Sequence, residues 1–323
     1  MSPSVLLLAG GGGHTGYAYA IAKALWGKCD VHTFVPEGDE LSFQRLSMYS
    51  TVTPLNKPRG PTTPATGFVA GLFKSGFKSF RLVGSEFKVV VSTGSNFCIP
   101  PSLAAILKGK RIVNIESSVR FTRSSQTARI LRHFAEVTVL QWEEQKALFR
   151  DGRVFGPLVP PPEAPITDGG YILVTGGTFG HKLLFDAVSA TGIPNVILQT
   201  GHTDQAPYKQ AHPEWKILDF SSTFYTYLAS ARVVVTHFGE TALEAALVYR
   251  KPTVIAVNPE WTRTVGLKDA QMLTEKLGGI LLTELTPRAV EEGIEESLGS
   301  KLPEVKNGSE PLAEEILVML GRR

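Results

Sequence analysis

The chain has 323 residues, 43% of them hydrophobic and 20% charged, enough to bury a large core and to make two domains. No apolar run reaches the ~18–20 residues of a membrane-spanning helix, and Cys29 and Cys98, its only cysteines, exclude a disulfide framework and suit a reducing compartment. The net charge of +3 is unevenly spread, with 19 Lys and Arg against 11 Asp and Glu in residues 1–165 and 14 against 19 in residues 166–323, so the first half is expected to face something anionic.

Residues 5–9, Val-Leu-Leu-Leu-Ala, read as a buried parallel strand. They lead straight into glycines and so are not a signal peptide. The turn Gly10-Gly11-Gly12-Gly13-His14-Thr15-Gly16 follows, and residues 15–26 read as a helix with Ile21, Ala22 and Leu25 on one stripe. A helix start behind bare backbone favours an anion, because its free N–H groups and dipole point there. His14 is the one titratable side chain of that turn and is expected where a phosphate would lie.

Residues 31–35 read as the second strand, with Glu37 after it. Gly11, Gly13 and Gly16 match G-x-G-x-x-G, and Glu37 falls about where a ribose-binding acid would stand in a dinucleotide site. Two features weigh against a dinucleotide. His14 intrudes on a cradle that wants no side chain, and the second half carries phosphate-type turns of its own.

Residues 54–67 read as a loop. Residues 68–83 then interleave Phe68, Leu72, Phe73, Phe77 and Phe80 with Lys74, Lys78 and Arg81. Both a crossover helix packed on the sheet and an interfacial helix lying on anionic headgroups fit this pattern. Residues 89–91 are a strand ending on Ser92-Thr93-Gly94-Ser95-Asn96, Pro101 opens a helix through Leu107, and residues 111–115 are a strand ending on Glu116. Residues 137–140 form another, followed by Gln141-Trp142. Ligands of open α/β sheets bind beyond the carboxyl ends of strands. Residues 10–16, 93–96 and Glu116 are therefore expected to converge, with Glu116 either facing a ligand or capping the sheet's rim.

The prolines at 160–162 make residues 158–170 a stiff, extended linker. It divides a domain of residues 1–157 from one of residues 171–310, with a terminal amphipathic helix in residues 311–323. The pattern restarts with a strand at 171–174, the turn Thr175-Gly176-Gly177-Thr178-Phe179-Gly180 and a helix at 183–188. Strands at 196–199, 216–218, 233–235 and 253–257 follow. The fourth of these five ends on Thr236-His237-Phe238-Gly239-Glu240-Thr241, ahead of a helix carrying Glu244, and the fifth ends on Asn258. Seven scattered histidines offer no metal cluster. No aromatic-basic stacking motif or helix-turn-helix appears, so nucleic acid is not expected.

Taken in order, these motifs resemble the two-domain GT-B glycosyltransferases of the family 28 type. Within them the chain looks like a single-chain fusion of the two-subunit UDP-GlcNAc:dolichyl-diphospho-GlcNAc N-acetylglucosaminyltransferase of N-glycosylation. The acceptor-side pattern lies at residues 10–16, at Gly94-Ser95-Asn96-Phe97-Cys98-Ile99-Pro100, at Ile115-Glu116-Ser117 and at Gln141-Trp142; the donor-side pattern lies at residues 174–178 and 236–239, at Glu244-Ala245 and at Lys251-Pro252. The chain departs from the family in three ways. The donor loop at 238–241 is one residue short, Lys268-Asp269-Ala270-Gln271 replaces the usual Asn-His-Gln, and a membrane anchor ahead of the first strand is not expected.

The resemblance implies an α/β GT-B fold, two Rossmann-like domains with a cleft between them. It implies an inverting enzyme that moves GlcNAc from UDP-GlcNAc to a polyprenyl-diphosphate-linked GlcNAc, forming a lipid-linked chitobiose. The alternatives are a UDP-sugar epimerase and a transferase with a soluble acceptor. His14 would be the base or position the acceptor, and Glu116 would orient it or bind acceptor sugar. Gly12, Gly13, Thr15, Gly94, Ser95 and Asn96 would line the acceptor side. Gly176, Gly177, Thr178, His237, Gly239, Glu240, Thr241, Glu244, Asn258 and Gln271 would hold the donor. No metal or other cofactor is expected. Residues 68–83 would touch the membrane, on its cytoplasmic face, and the terminal helix would cross back to the first domain.

Overall fold

The computed structural model describes residues 4–57, 65–259 and 265–321, with backbone alone before residue 74 in the helix that opens at Ala65. The expected contributions of Phe68, Leu72 and Phe73, and of the loop at 58–64, lie outside the described side chains. The chain divides into two compact units, one of residues up to Pro160 and from Lys306 on, the other Pro161–Val305.

The first unit runs β1 (Ser4–Leu8), α1 (Gly13–Leu25), β2 (Asp30–Pro36), α2 (Glu40–Ser47), β3 (Thr51–Leu55), α3 (Ala65–Leu82), β4 (Phe87–Ser92), α4 (Ile99–Leu107), β5 (Arg111–Ile115), α5 (Gln126–Leu131), β6 (Val137–Leu140) and β7 (Arg153–Val154). Its seven strands are parallel, in the order β3-β2-β1-β4-β5-β6-β7. The run of apolar residues in β1 serves both faces. Val5, Leu7 and Ala9 pack with Ile21 and Leu25 of α1, while Leu6 and Leu8 pack with Phe34, Leu55 and Phe97. Residues 54–55 are strand, not loop: Pro54 pairs with Val35 on β3, an edge strand whose missing N–H costs the sheet little.

The second unit runs β8 (Ile172–Thr175), α6 (Lys182–Ser189), β9 (Val196–Gln199), α7 (Ala206–Ala211), β10 (Lys216–Leu218), α8 (Phe224–Ser230), β11 (Val233–His237), α9 (Glu240–Leu243), β12 (Thr253–Ala256), α10 (Leu267–Leu277), β13 (Ile280–Leu282) and α11 (Pro287–Leu298). Its sheet is also parallel, in the order β10-β9-β8-β11-β12-β13.

The terminal helix, α12 (Ser309–Met319), belongs to the first unit. Leu312, Ala313, Ile316 and Met319 enter the core against α1, and Glu315 forks onto Arg153 at 2.7 and 3.1 Å. The returning chain touches the departing one closely. A Cβ on Gly156 would lie 2.5 Å from the Lys306 carbonyl, and one on Gly308 would lie 2.5 Å from the Gly156 carbonyl.

The stretch expected to be a stiff, extended linker is hydrogen-bonded at both ends. Leu158 is buried and donates its N–H to Gln141 Oε1 at 2.9 Å, whereas Thr167 and Gly169 donate to the carbonyls of Ala229 and Ser230 at 3.1 and 2.7 Å. Backbone groups running along a folded surface find partners there, whatever their stiffness.

Candidate functional site

In each unit the strand order reverses beside its first strand, and there the loops after two neighbouring strands splay apart. In the first unit this point lies between β1 and β4. Gly11 and Gly12 have positive φ, 83° and 56°, and α1 starts at Gly13. His14 therefore sits in the first turn of the helix, not in the glycine turn. Its Nδ1 lies 2.6 Å from the Thr93 carbonyl. A carbonyl only accepts, so Nδ1 carries the proton and Nε2 keeps its lone pair. Thr93 is itself held, its hydroxyl donating to the Leu8 carbonyl at 2.7 Å.

Two glycines let these turns meet. A Cβ on Gly10 would strike Ser95 Oγ at 2.0 Å. Gly94, at φ +104°, would carry a Cβ 3.0 Å from the Ile115 carbonyl and 3.6 Å from His14 Cε1. Burial lowers the His14 pKa from 6.5 to about 4, against the pull of the Thr93 bond, and Lys57 and Arg120 push the same way as burial. The imidazole is neutral at pH 7.

Glu116 does not orient His14. It is wholly buried at the end of β5, and its oxygens accept from the N–H groups of Ser117 and Ser125 at 2.7 and 2.8 Å. Burial pushes its carboxyl above the usual range, against those bonds. The orienting acceptor for His14 is the backbone of residue 93. Thr15 also turns inward, bonding Ser42 Oγ at 2.7 Å. Gly12 and Gly13 are exposed, and Ser95 and Asn96 half-buried at the foot of α4. Glu37, where a ribose acid would stand, accepts a bond from the Asn56 side chain.

In the second unit the reversal lies between β8 and β11. Gly176 lets the turn fold tightly, since a Cβ there would lie 2.4 Å from the His181 nitrogen. Gly177 has φ +65°, and its N–H donates to Thr175 Oγ1 at 3.1 Å. His237, at the end of β11, joins the two turns. Its Cε1 lies 3.0 Å from a Cβ built on Gly177 and its Nε2 lies 3.3 Å from one built on Gly239. Burial, helped by His181, lowers its pKa to about 4. Glu240 and Thr241 open α9, which runs on as a π turn, Glu244–Val248, with Glu244 buried. Asn258 is buried after β12. Gln271 is exposed on α10, and neighbouring Asp269 accepts from the Gly266 N–H at 3.2 Å. Among the described residues no three His, Cys, Asp or Glu side chains could together hold a metal ion.

Residues 5–158 match the family of oligosaccharide biosynthesis protein Alg14-like domains, and residues 171–316 match the glycosyltransferase family 28 C-terminal domain. The chain is a family 28 glycosyltransferase with an Alg14-like first half. It is 25% identical, over 80% of its own length and 77% of the other's, to the UDP-N-acetylglucosamine--N-acetylmuramyl-(pentapeptide) pyrophosphoryl-undecaprenol N-acetylglucosamine transferase of Prochlorococcus marinus. The structure of MurG from Acinetobacter baumannii superposes with a TM-score of 0.62 at 18% identity, covering 98% of this chain and 99% of that one. A UDP-GlcNAc 2-epimerase from Neisseria meningitidis, bound to UDP-GlcNAc, gives 0.65 at 13% identity, with 98% and 100% covered. The fold is GT-B.

The transferase has an unusual helix in α3. Ser75 and Ser79 are buried, whereas Phe77 is 71% exposed and Phe80 also faces out. Over its described side chains, residues 74–82, two serines face in and two phenylalanines face solvent, unlike a helix whose aromatic face packs on the core. Leu107, at the end of neighbouring α4, is 78% exposed, and Lys108 Nζ lies 4.4 Å over the Phe80 ring. No helix among the described residues is long and apolar enough to cross a membrane.

Sequence reasoning passed over Lys57 and Arg120, the cations nearest in effect to His14. Arg120 lies four residues past Glu116 in a polar run, and Lys57 follows an unrecognised strand, so neither stood in a motif.

Proposed function

We propose that the chain transfers GlcNAc from UDP-GlcNAc to a GlcNAc carried on a polyprenyl diphosphate, with inversion, at a membrane surface. The observation that carries this reading is His14, neutral and pinned through Nδ1–H to the Thr93 carbonyl at 2.6 Å beside an exposed glycine turn. Its Nε2 takes the proton of the acceptor hydroxyl as that oxygen bonds to the anomeric carbon. The bond from that carbon to the diphosphate oxygen breaks, and UDP leaves with the electron pair.

The two glycine turns brought together at His237, with Gly176, Gly177, Thr178, Gly239, Glu240 and Thr241, hold the UDP diphosphate through backbone N–H groups; no metal is required. Glu244, Asn258 and Gln271 complete the donor side, while Gly12, Gly13, Gly94, Ser95 and Asn96 line the acceptor side. Glu116 contributes by fixing the loop that follows it. The curated relative's name supports the sugar and the lipid-diphosphate acceptor, and the Alg14-like half supports N-glycosylation. The outward aromatic face of α3, with Lys74, Lys78 and Arg81, suits an anionic bilayer surface on the cytoplasmic side.

Incubation with UDP-GlcNAc and a short-chain lipid-diphospho-GlcNAc tests the reading. A lipid product heavier by one N-acetylhexosamine, with UDP released, supports it. Release of free ManNAc and UDP without a lipid product would show an epimerase instead.

A further inference from the structure

The loop at 117–124 is braced from within far more than its exposed length requires. Glu116 clamps its two ends, at Ser117 and Ser125. Gln145, wholly buried, donates its amide to the carbonyls of Ser117 and Arg120 at 2.7 and 2.9 Å. Trp142 Nε1 donates to the Ser118 carbonyl at 2.8 Å. Tyr17 Oη bonds Ser118 Oγ at 2.6 Å and accepts from the Ser118 N–H at 3.1 Å. Tyr17 is three residues after His14 on α1, so this last brace ties the loop to the helix face that carries the imidazole.

Of the loop's two arginines, Arg123 is exposed and Arg120 half-buried, and Arg120 is the one that acts on His14. Its guanidinium makes one long bond, 3.5 Å, to the Arg123 carbonyl. Across the turn, Lys57 Nζ lies 3.8 Å from a Cβ built on Gly11, and among the described residues it has no hydrogen-bond or ion-pair partner. Both cations act electrostatically on His14. The Asp39 carboxylate approaches the same turn, with Oδ2 3.1 Å from the Gly11 position, and it accepts from the Ser42 N–H and hydroxyl at 3.1 and 2.7 Å. Neither cation has an ion-pair partner among the described residues, although Arg120 also acts electrostatically on the buried Glu116.

We infer that Lys57 and Arg120 clamp the diphosphate of the acceptor over residues 10–13, and that Glu116, Gln145, Trp142 and Tyr17 are positioning residues that hold Arg120 in place for it. This rests on the proposed acceptor. A planar guanidinium held by its own backbone offers two parallel donors to adjacent phosphate oxygens, and Lys57 adds a mobile point charge from the other side. The clamp fixes the lipid's charged neck, which leaves the sugar hydroxyl beyond it to meet His14 Nε2.

The test titrates inorganic pyrophosphate calorimetrically, with the donor site saturated by UDP, into wild type, Lys57→Ala, Arg120→Ala and Arg120→Lys. It also measures kcat and KM for a short-chain lipid-diphospho-GlcNAc. Pyrophosphate affinity is expected to fall about tenfold or more in each alanine variant. Acceptor KM rises to match, UDP affinity stays unchanged, and lysine at 120 recovers part of the loss. Gln145→Leu raises acceptor KM like Arg120→Ala and adds nothing in the double variant, which loss of stability alone would not produce. If wild type forms the lipid-linked disaccharide but both alanine variants keep wild-type pyrophosphate affinity and acceptor KM, the clamp is overturned and the proposed function stands. If no disaccharide forms while pyrophosphate binding still depends on both cations, the clamp stands and the proposed acceptor falls.

Discussion

At the scale of single residues, the decisive feature is which atom holds His14. A carbonyl partner fixes the tautomer as a carboxylate would, without adding charge to the site. Its bond pulls the imidazole pKa up, but burial outweighs it and takes the pKa to about 4. In the function proposed His14 is the base and must be neutral, so kcat/KM is expected to hold steady as pH drops through 6.5 and to fall only as it nears about 4. A pH–rate profile with its acid limb near 6.5 would contradict this. Stability has the same sign: between 6.5 and about 4 the unfolded chain binds a proton that folded His14 does not. Wild type therefore loses stability relative to His14→Gln as pH falls through that window, measurable by urea unfolding at several pH values. In the second unit, Gly177→Ala would place a methyl 3.0 Å from His237 at φ +65°. UDP binding by calorimetry should weaken markedly, while Gly192→Ala, with open space around it, should bind as wild type does.

At the scale of elements, α12 holds the first unit from a distance in sequence of about three hundred residues. Ile316→Ala, at a wholly buried site, should cost ~2–4 kcal/mol in denaturant unfolding. Val318→Ala, on the exposed side of the same helix, should cost less than ~0.5 kcal/mol. Equal effects at both positions would remove α12 from the core. The strands that were legible in the sequence were the buried parallel ones, whose apolar runs such as Val89-Val90-Val91 have no other reading. β3 was hidden because Pro54 reads as a breaker and only its place at the edge admits it. β7, two residues long, carries no periodic signal at all. In the candidate site, His14 and the glycine turns stood out through composition. The Thr93 carbonyl could not, because backbone acceptors leave no mark in a sequence. Glu116 was visible as a carboxylate on the rim, but its commitment to two amides depends on Ser125, nine residues on, folding back beside it.

At the scale of the whole molecule, the chain joins an Alg14-like half to a family 28 C-terminal half, each with its reversal of strand order and a glycine turn at that point. The basic first half also carries the outward face of α3. Replacing Phe77 and Leu107 by Asp should abolish sedimentation with anionic vesicles while leaving turnover of a water-soluble short-chain acceptor as in wild type; undiminished sedimentation would show that this face does not meet the bilayer. In the function proposed, the imidazole of His14 accepts the proton of the attacking alcohol. Single-turnover transfer from UDP-GlcNAc to lipid-diphospho-GlcNAc by His14→Ala tests that claim most directly. The rate should fall by ~10²–10⁴ with UDP and acceptor affinity kept. A near-normal rate, with only the acceptor bound more weakly, would contradict it.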